Sequence, residues 1–189
     1  KLNGKDIEIL ATDGTNRLGG VDFDKALSEI IASQYEQEKG EPLYNDQLLP
    51  SSHYVFIEGV KKDLSFKERV KDHLPRTDFK FEVSRSEFEE AISGYVAKSE
   101  MNIENALADA GLSPSDIDKV LLVGGSCRIP YVKERLKKIF DFEPTMEVNV
   151  DQAIALGAAI YAGLNALNDS DTEVPAGIKR TLDDVSLSE

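Results

Sequence analysis

The chain has 189 residues, of which 41% are hydrophobic and 30% charged, a balance typical of a folded globular protein rather than a low-complexity polymer. Its 22 basic and 35 acidic side chains give a formal net charge of −13, which argues against nucleic-acid and membrane-surface partners because both attract clustered lysine and arginine. One cysteine and two histidines exclude an internal disulfide and the usual zinc-ligand spacings. With neither a signal segment nor a membrane-length apolar run, we expect a protein of the reducing cytoplasm.

The N-terminal half predicts a strand, two helices and a pair of strands. Residues 5–12 alternate between apolar and polar and precede an Asp-Gly turn, which indicates a strand. Asp22 is the predicted N-cap of a helix that ends at Gly40, with an apolar stripe formed by Phe23, Leu27, Ile30, Ile31 and Tyr35. Residues 54–65 have a second helical pattern. Two strand-like runs follow within residues 68–83 and are separated by Pro75.

The C-terminal half predicts three further helices and a buried strand. Ser84 and Glu87 have the spacing of a capping box, and the helix that they begin is predicted to end at Gly111. After a short turn around Pro114, the apolar run 120–123 is typical of a strand buried on both faces. Helices are predicted from Pro130 and over residues 151–165, and the second of these is so apolar that we expect it to be buried.

This order of elements predicts an α/β fold with an at least partly parallel sheet. The strand-strand-helix region 68–110 has the pattern of an inserted α+β subdomain. From residue 168 onward the composition becomes polar, which is typical of a tail or linker.

The strongest chemical signal is the segment Leu121–Pro130, with the sequence LLVGGSCRIP. Two glycines after a strand and before a helix bring bare backbone to the strand's carboxyl end, where ligands of α/β folds tend to bind. The following helix N-terminus and Arg128 add positive charge. A plain tight turn is the alternative explanation. The segment is neither a Walker A motif nor a GxGxxG fingerprint.

This segment resembles the adenosine-binding loop of the actin-like ATPases, and in particular that of the seventy-kilodalton heat-shock chaperones of the DnaK type. Four further segments, in the same order along the chain, are similar to motifs of that family's second nucleotide-binding lobe: residues 15–24, 58–65, 110–118 and 149–159.

The resemblance implies an actin-like ATPase lobe, of ribonuclease H-like fold, with an inserted smaller α+β subdomain. It divides the chain into a base subdomain (residues 1–39 and 112–167), a mobile subdomain (40–111) and a tail or interdomain linker (168–189). Closure of the mobile subdomain on the nucleotide would then control the chaperone's protein-folding activity.

The resemblance also implies a site for the adenosine part of ATP or ADP, with Mg²⁺ held mainly by the phosphates and by a lobe outside this sequence. The cofactor-binding residues that it implies are Gly20, Glu58, Lys61, Lys62, Ser65, Gly124, Gly125, Ser126, Arg128 and Asp151. Glu58, Lys61 and Ser65 have the spacing of one helical face that would meet ribose and base. An ordinary solvated helix face and, for Asp151, a simple N-cap are the alternatives.

The family's phosphate-binding loops and catalytic residues lie outside these 189 residues, so we nominate no catalytic residue and no metal ligand. The parent protein is expected to be an ATPase, and the fragment alone is expected to be inactive. The implied partners are a nucleotide exchange factor at residues 40–111 and, through other parts of the parent, a J-domain co-chaperone and unfolded clients. A divergent actin-like scaffold and a sugar-kinase-type enzyme of the same superfamily are the alternatives.

The sequence departs from the family pattern at four positions, which indicates a divergent member. Cys127 stands where threonine is usual, Val150 where proline is usual, Gln152 where glutamate is usual and Val21 where glutamate is common. Cys127 is either a small replacement side chain or a redox-sensitive thiol activated by the helix N-terminus.

Overall fold

The computed structural model describes residues 1–3, 6–44, 51–146, 149 and 152–168. The chain divides into two compact units: Lys1–Val120 with Ser126–Pro144, and Leu121–Gly125 with Thr145–Glu189. Within the described ranges, no helix combines the length and the apolar character needed to cross a membrane.

Among its described residues, the first unit contains four α-helices and two small antiparallel strand pairs. The strands are β1 (Leu2–Asn3) paired with β2 (Asp6–Ile7), and β3 (Arg69–His73) paired with β4 (Lys80–Ser84). The helices are α1 (Gly20–Lys39), α2 (Ser51–Leu64), α3 (Arg85–Ala110) and α4 (Pro130–Phe140), with a 3₁₀ turn at Pro114–Asp116.

Helix α1 begins earlier than predicted, and Asp22 is not its N-cap. The N-cap is Gly19, and the Asp22 carboxylate accepts a hydrogen bond of 2.8 Å from the Gly19 N–H. An acidic side chain in the first turn stabilises the helix by reaching back to an unpaired N–H, so the helix can start two residues ahead of it. The predicted end is confirmed: Gly40 has φ 74° and donates its N–H to the Glu36 carbonyl.

The predicted pair of strands, the capping box and the end of the following helix are also confirmed. β3 and β4 form an antiparallel hairpin in which Val70 lies opposite Val83. The Ser84 side chain accepts a hydrogen bond from the Glu87 N–H, and the Glu87 carboxylate accepts one from the Ser84 N–H. Gly111 ends α3 with φ 67°.

The core of the first unit lies between this hairpin and helices α1, α2 and α3. Its largest fully buried side chains come from all of these elements and from the loop before β4: Leu27, Ile31, Ile57, Leu64, Leu74, Phe79, Val83, Phe88 and Ile92. Burial of this many large apolar side chains is the main favourable term in the stability of a domain of this size.

Helix α1 also covers one edge of the hairpin. The Gln34 side-chain amide donates to the Glu82 carbonyl at 2.8 Å, and its oxygen accepts from the Glu82 N–H at 3.3 Å. One side chain thus satisfies both outward backbone groups of a β4 residue, as a neighbouring strand would.

Two predicted strands are shorter or more exposed than expected. Of the first predicted strand, residues 5–12, only Asp6–Ile7 forms a strand among the described residues, and Ile9 is 76% exposed. In the run 120–123, Leu121 is 53% exposed and forms one parallel bridge with Thr145, and Leu122 donates its N–H to the Thr145 carbonyl. A strand is buried on both faces only when layers pack on each side. The predicted parallel sheet is therefore reduced, among the described residues, to this single bridge.

The second unit contains α5 (Ala153–Asn168), which was predicted to be buried and is not. Ile154 is 75%, Leu156 54% and Tyr161 69% exposed. An apolar helix is buried only where neighbouring elements supply a covering surface. Asp151 and residues 169–189, which include almost all of the predicted tail, lie outside the described residues.

Helices α3 and α4 are joined by a bidentate pair between Glu100 and Arg135, whose Nη2–Oε2 distance is 2.8 Å. Hydrogen bonds from this guanidinium lower the pKa of Glu100 below its ordinary 4.5. A carboxyl whose folded pKa is lowered stabilises the fold above its unfolded pKa, and the contribution is lost as the pH falls through the folded value.

We therefore expect Glu100→Gln to reduce the free energy of unfolding by about 1 kcal/mol near neutral pH. The difference from the unmodified chain should vanish well below pH 4.5, where Glu100 is protonated in both states. Urea unfolding at several pH values measures this; a pH-independent difference would contradict the ionic origin.

Candidate functional site

The sequence-predicted site residues are distributed over both units. Glu58, Lys61 and Lys62 lie on α2, Gly20 is the first residue of α1, and Ser126 and Arg128 lie on a 3₁₀ turn, Gly125–Arg128. Of the described site residues, Gly124 and Gly125 belong to the second unit and the others to the first. Asp151 lies outside the described residues.

Three of these residues, Gly20, Lys61 and Ser126, meet in the first unit. The Lys61 ammonium donates to the Gly20 carbonyl at 3.1 Å. A methyl group placed on Gly20 would lie 3.2 Å from Lys61 Nζ and 3.6 Å from Ser126 Oγ. Glycine at this position therefore lets the α1 N-terminus approach the lysine and the serine closely.

Asp24 completes this cluster and was not among the predicted site residues. Its Oδ1 atom lies 2.7 Å from Lys61 Nζ, and the two side chains are only 10% and 12% exposed. Oδ1 receives no hydrogen bond of good geometry, so this close ion pair is its compensation for burial. Asp24 follows Gly20 by one helical turn, within the apolar stripe of α1, and an acidic residue at such a position is the signal that could have identified it.

The electrostatics of the pair are dominated by burial. Desolvation raises the pKa of Asp24, and the adjacent Lys61 ammonium opposes that effect. A carboxylate in such surroundings depends on its lysine to remain ionised. We refer below to Gly20, Asp24, Lys61 and Ser126 as the lysine cluster.

The remaining α2 residues form a more exposed rim. Glu58 Oε1 lies 2.9 Å from Lys62 Nζ, and this lysine lowers the pKa of Glu58. The helix ends at Leu64, so Ser65 lies in the following turn rather than on the predicted helical face. Its hydroxyl donates to the Lys61 carbonyl at 3.5 Å. A turn that satisfies the last free carbonyls of α2 ends the helix at Leu64, one residue before its predicted end. Ser65 is therefore not part of the helical face.

The Gly-Gly loop has the backbone geometry that requires glycine. Gly124 has φ +96°, which other residues rarely adopt. The chain then enters the 3₁₀ turn, where the Ile129 N–H donates to the Ser126 carbonyl at 3.2 Å. Cys127 on this turn is half-buried, and its redox role stays a hypothesis.

The lysine cluster offers ammonium, hydroxyl and glycine backbone groups, which suit the polar edges of a nucleoside. The residues that the structure describes contain no group of three His, Cys, Asp or Glu side chains that could hold a metal ion. The described residues therefore fit a nucleoside and do not fit a directly bound Mg²⁺.

In a comparison with protein-family models, the model of the Hsp70 protein family matches residues 1–176. The match covers most of the chain, including every sequence-predicted site residue.

Proposed function

The chain belongs to the Hsp70 family, and we propose that it forms the second lobe of a DnaK-type ATPase domain, which binds the adenosine part of ATP or ADP. The Hsp70 ATPase domain has the actin-like fold, and proteins of this family bind ATP or ADP, typically with Mg²⁺, and work with co-chaperones and client proteins. The lobe, the subdomains, the site residues and the cleft motion are the parts of the proposal that go beyond family membership.

The observation that carries the proposal is the convergence in the lysine cluster. Gly20, Lys61 and Ser126 come from three motifs far apart in the sequence, and the family resemblance implies an adenosine-site role for each of them. Lys61 Nζ lies 3.1 Å from the Gly20 carbonyl oxygen, and both Lys61 Nζ and Ser126 Oγ would lie within 3.6 Å of a methyl group on Gly20. Such proximity of distant segments is what a ligand site assembled from several motifs requires.

The proposed base and the proposed mobile subdomain meet at the same cluster. Lys61 belongs to the proposed mobile subdomain, residues 40–111, whereas Gly20 and Asp24 belong to the base, residues 1–39. The buried Lys61–Asp24 pair thus joins the two parts next to the proposed site. In the proposal, the mobile subdomain closes on the nucleotide and opens to release it.

In the proposed site the chain's own residues bind and orient the nucleoside. Lys61 and Ser126 donate hydrogen bonds from the cluster, and Glu58, Lys61 and Ser65 face the ribose and the base. The family resemblance assigns Gly124, Gly125, Ser126 and Arg128 to the adenine and α-phosphate side of the nucleotide and Asp151 to the border of the cleft. The nucleotide's phosphates carry the Mg²⁺ and the bond that the parent ATPase hydrolyses; the chain alone is expected to be inactive.

Three further parts of the proposal concern the setting of the protein. We propose that an exchange factor binds the mobile subdomain, that a J-domain co-chaperone and clients act through other parts of the parent, and that residues 168–189 form a tail or interdomain linker. Net charge −13 and the cysteine content are consistent with a cytoplasmic chaperone without nucleic-acid or membrane ligands.

The test is a pair of glycine substitutions at the start of α1. Gly20→Ala should weaken adenosine and ADP binding at least about tenfold, because the added methyl displaces the Lys61 ammonium and crowds Ser126. The free energy of unfolding should change by no more than about 1 kcal/mol. Calorimetric titration and urea unfolding give the two quantities.

Gly19→Ala is the matched control, because a methyl group there meets no atom within 4 Å and the backbone is extended. It should leave affinity within about twofold. Adenosine and ADP should bind similarly, and pyrophosphate should not bind, since the proposed half-site holds the nucleoside. Equal losses in both variants, or binding of pyrophosphate but not adenosine, would contradict the proposed site.

A further inference from the structure

The register of the β3–β4 hairpin shows which backbone groups point away from it. Gln34 binds both the N–H and the C=O of Glu82, so these groups face away from β3. Lys71 lies directly opposite Glu82. In an antiparallel pair of strands, two residues that lie opposite each other either bond each other through their N–H and C=O groups or both point these groups away from the partner strand. The Lys71 N–H and C=O therefore face away from β4.

The same alternation identifies the rest of this edge. Bonds from the Leu74 N–H to the Phe79 carbonyl and from the Arg85 N–H to the Glu68 carbonyl mark the inward positions, and Arg69, Lys71 and His73 are the outward ones. The Asp72 carboxylate already accepts the His73 N–H at 2.7 Å. Within the described residues, the outward groups of Arg69 and Lys71 have no hydrogen-bond partner in the protein.

The side chains beside these groups are basic. Arg69, Lys71 and His73 on β3 and Lys80 on β4 share one face of the hairpin and are exposed. The single acidic residue among them is Glu82, which pairs with both Arg69 and Lys71. A lysine has three donors and an arginine five, so each keeps donors for a further carboxylate. A net positive face is unusual on a chain of net charge −13.

We propose that this edge, with outward backbone groups at Arg69 and Lys71, binds an extended acidic peptide segment as a third strand. Backbone hydrogen bonds to Lys71 hold the segment, and carboxylates at alternate positions meet the Arg69 and Lys71 side chains. On the opposite edge, the Gln34 amide already pairs with the backbone N–H and C=O of Glu82 as a neighbouring strand would. The backbone geometry of the hairpin is therefore suited to strand-like pairing at the β3 edge as well. Strand addition here requires no bound nucleotide.

Charged edges also prevent self-association of sheets, and a second copy of β3 is repelled by its own like charges. That repulsion does not act on an acidic segment. Charge complementarity therefore selects an acidic peptide over a second copy of this edge.

The test uses a blocked seven-residue peptide in which glutamate alternates with valine, and the same peptide with lysine in place of glutamate. Titration into the full 189-residue chain should shift the backbone amide resonances of residues 69–73 saturably. It should also slow hydrogen exchange of the Lys71 amide at least about tenfold. The lysine peptide should cause neither change at concentrations up to about 1 mM.

Two variants separate backbone pairing from charge. Lys71→Pro removes the outward N–H without removing a bond to β4, and Lys71→Glu keeps the N–H and reverses the charge. Each should weaken binding at least about tenfold. Lys25→Glu on α1, whose side chain is 67% exposed, makes the same charge change elsewhere and should leave affinity within about twofold.

Well-dispersed amide spectra establish that each variant is folded. If the Lys71→Pro variant is not folded, the Lys71→Glu result alone decides. Three outcomes would overturn the proposal: no saturable shift at residues 69–73, equal binding of the lysine peptide, or a folded Lys71→Pro variant that binds as well as the unmodified chain. The last outcome would leave a purely electrostatic contact without strand addition.

Discussion

Lys61→Met is expected to lower the free energy of unfolding by about 3–5 kcal/mol. The methionine fills a similar volume but leaves the Asp24 carboxylate, 10% exposed, without the ammonium that lies 2.7 Å from its Oδ1 atom. An uncompensated buried charge costs far more than the net contribution of the intact pair, which is why a single removal has this large effect. Urea unfolding followed by circular dichroism measures the change.

A second substitution tests the cause of that loss. Asp24→Asn combined with Lys61→Met removes both charges and should recover at least about half of the lost stability. Lys62→Met is the matched control, because Lys62 is the next residue of α2, is 63% exposed and pairs with Glu58 at the surface. It should change stability by no more than about 0.5 kcal/mol. A double variant less stable than Lys61→Met would contradict the buried-charge explanation.

The effect of Lys61→Met should also depend on pH. Burial raises the pKa of Asp24 above its ordinary 3.8, and loss of the lysine should raise it further. A carboxyl whose folded pKa is raised binds its proton more tightly in the folded state, so its contribution to stability falls as the pH rises above the unfolded pKa. The variant should therefore lose less stability near about pH 4 than near about pH 7, because Asp24 can then be neutral.

Phe79→Ala should destabilise the first unit by about 3–5 kcal/mol. The Phe79 ring is 1% exposed and contacts the Tyr35 ring edge-on, with centroids 5.3 Å apart. Its removal leaves a cavity between α1 and the hairpin and removes an aromatic pair. The midpoint of urea unfolding should fall with little change in slope.

Phe66→Ala is the matched control for this substitution. Phe66 is 80% exposed, so the same chemical change should cost no more than about 0.5 kcal/mol. Phe79→Leu, which keeps most of the buried volume, should lose clearly less stability than Phe79→Ala. Equal losses at positions 66 and 79 would contradict the placement of Phe79 in the core.

Local signals in the sequence predicted the ends of elements well. Gly40 and Gly111 end helices in the left-handed conformation, and Ser84 with Glu87 forms the capping box that their spacing predicts. The error at Asp22 is of the same local kind, since an acidic residue in the first turn and an N-cap look alike in sequence.

Exposure was predicted less well, because it depends on what covers an element. The apolar character of the run 120–123 and of residues 151–165 predicted that both elements are buried, whereas Leu121 is 53% and Ile154 75% exposed. Composition determines that such surfaces favour burial, but a covering layer has to be supplied by other elements.

The sequence by itself therefore determined the helices, the hairpin, the C-caps Gly40 and Gly111, the capping box of Ser84 and Glu87, and the motifs that carry the Hsp70 resemblance. These features depend on residues within one or two turns of each other. Only the tertiary structure decided that Lys61 pairs with Asp24 and meets Gly20, and that Gln34 covers one edge of β4 and leaves the edge of β3 open. Lys61 and Gly20 are 41 residues apart in the sequence, and Gln34 and Glu82 are 48 residues apart. Such contacts form only when packing of the whole unit brings distant segments together, and no local pattern encodes them.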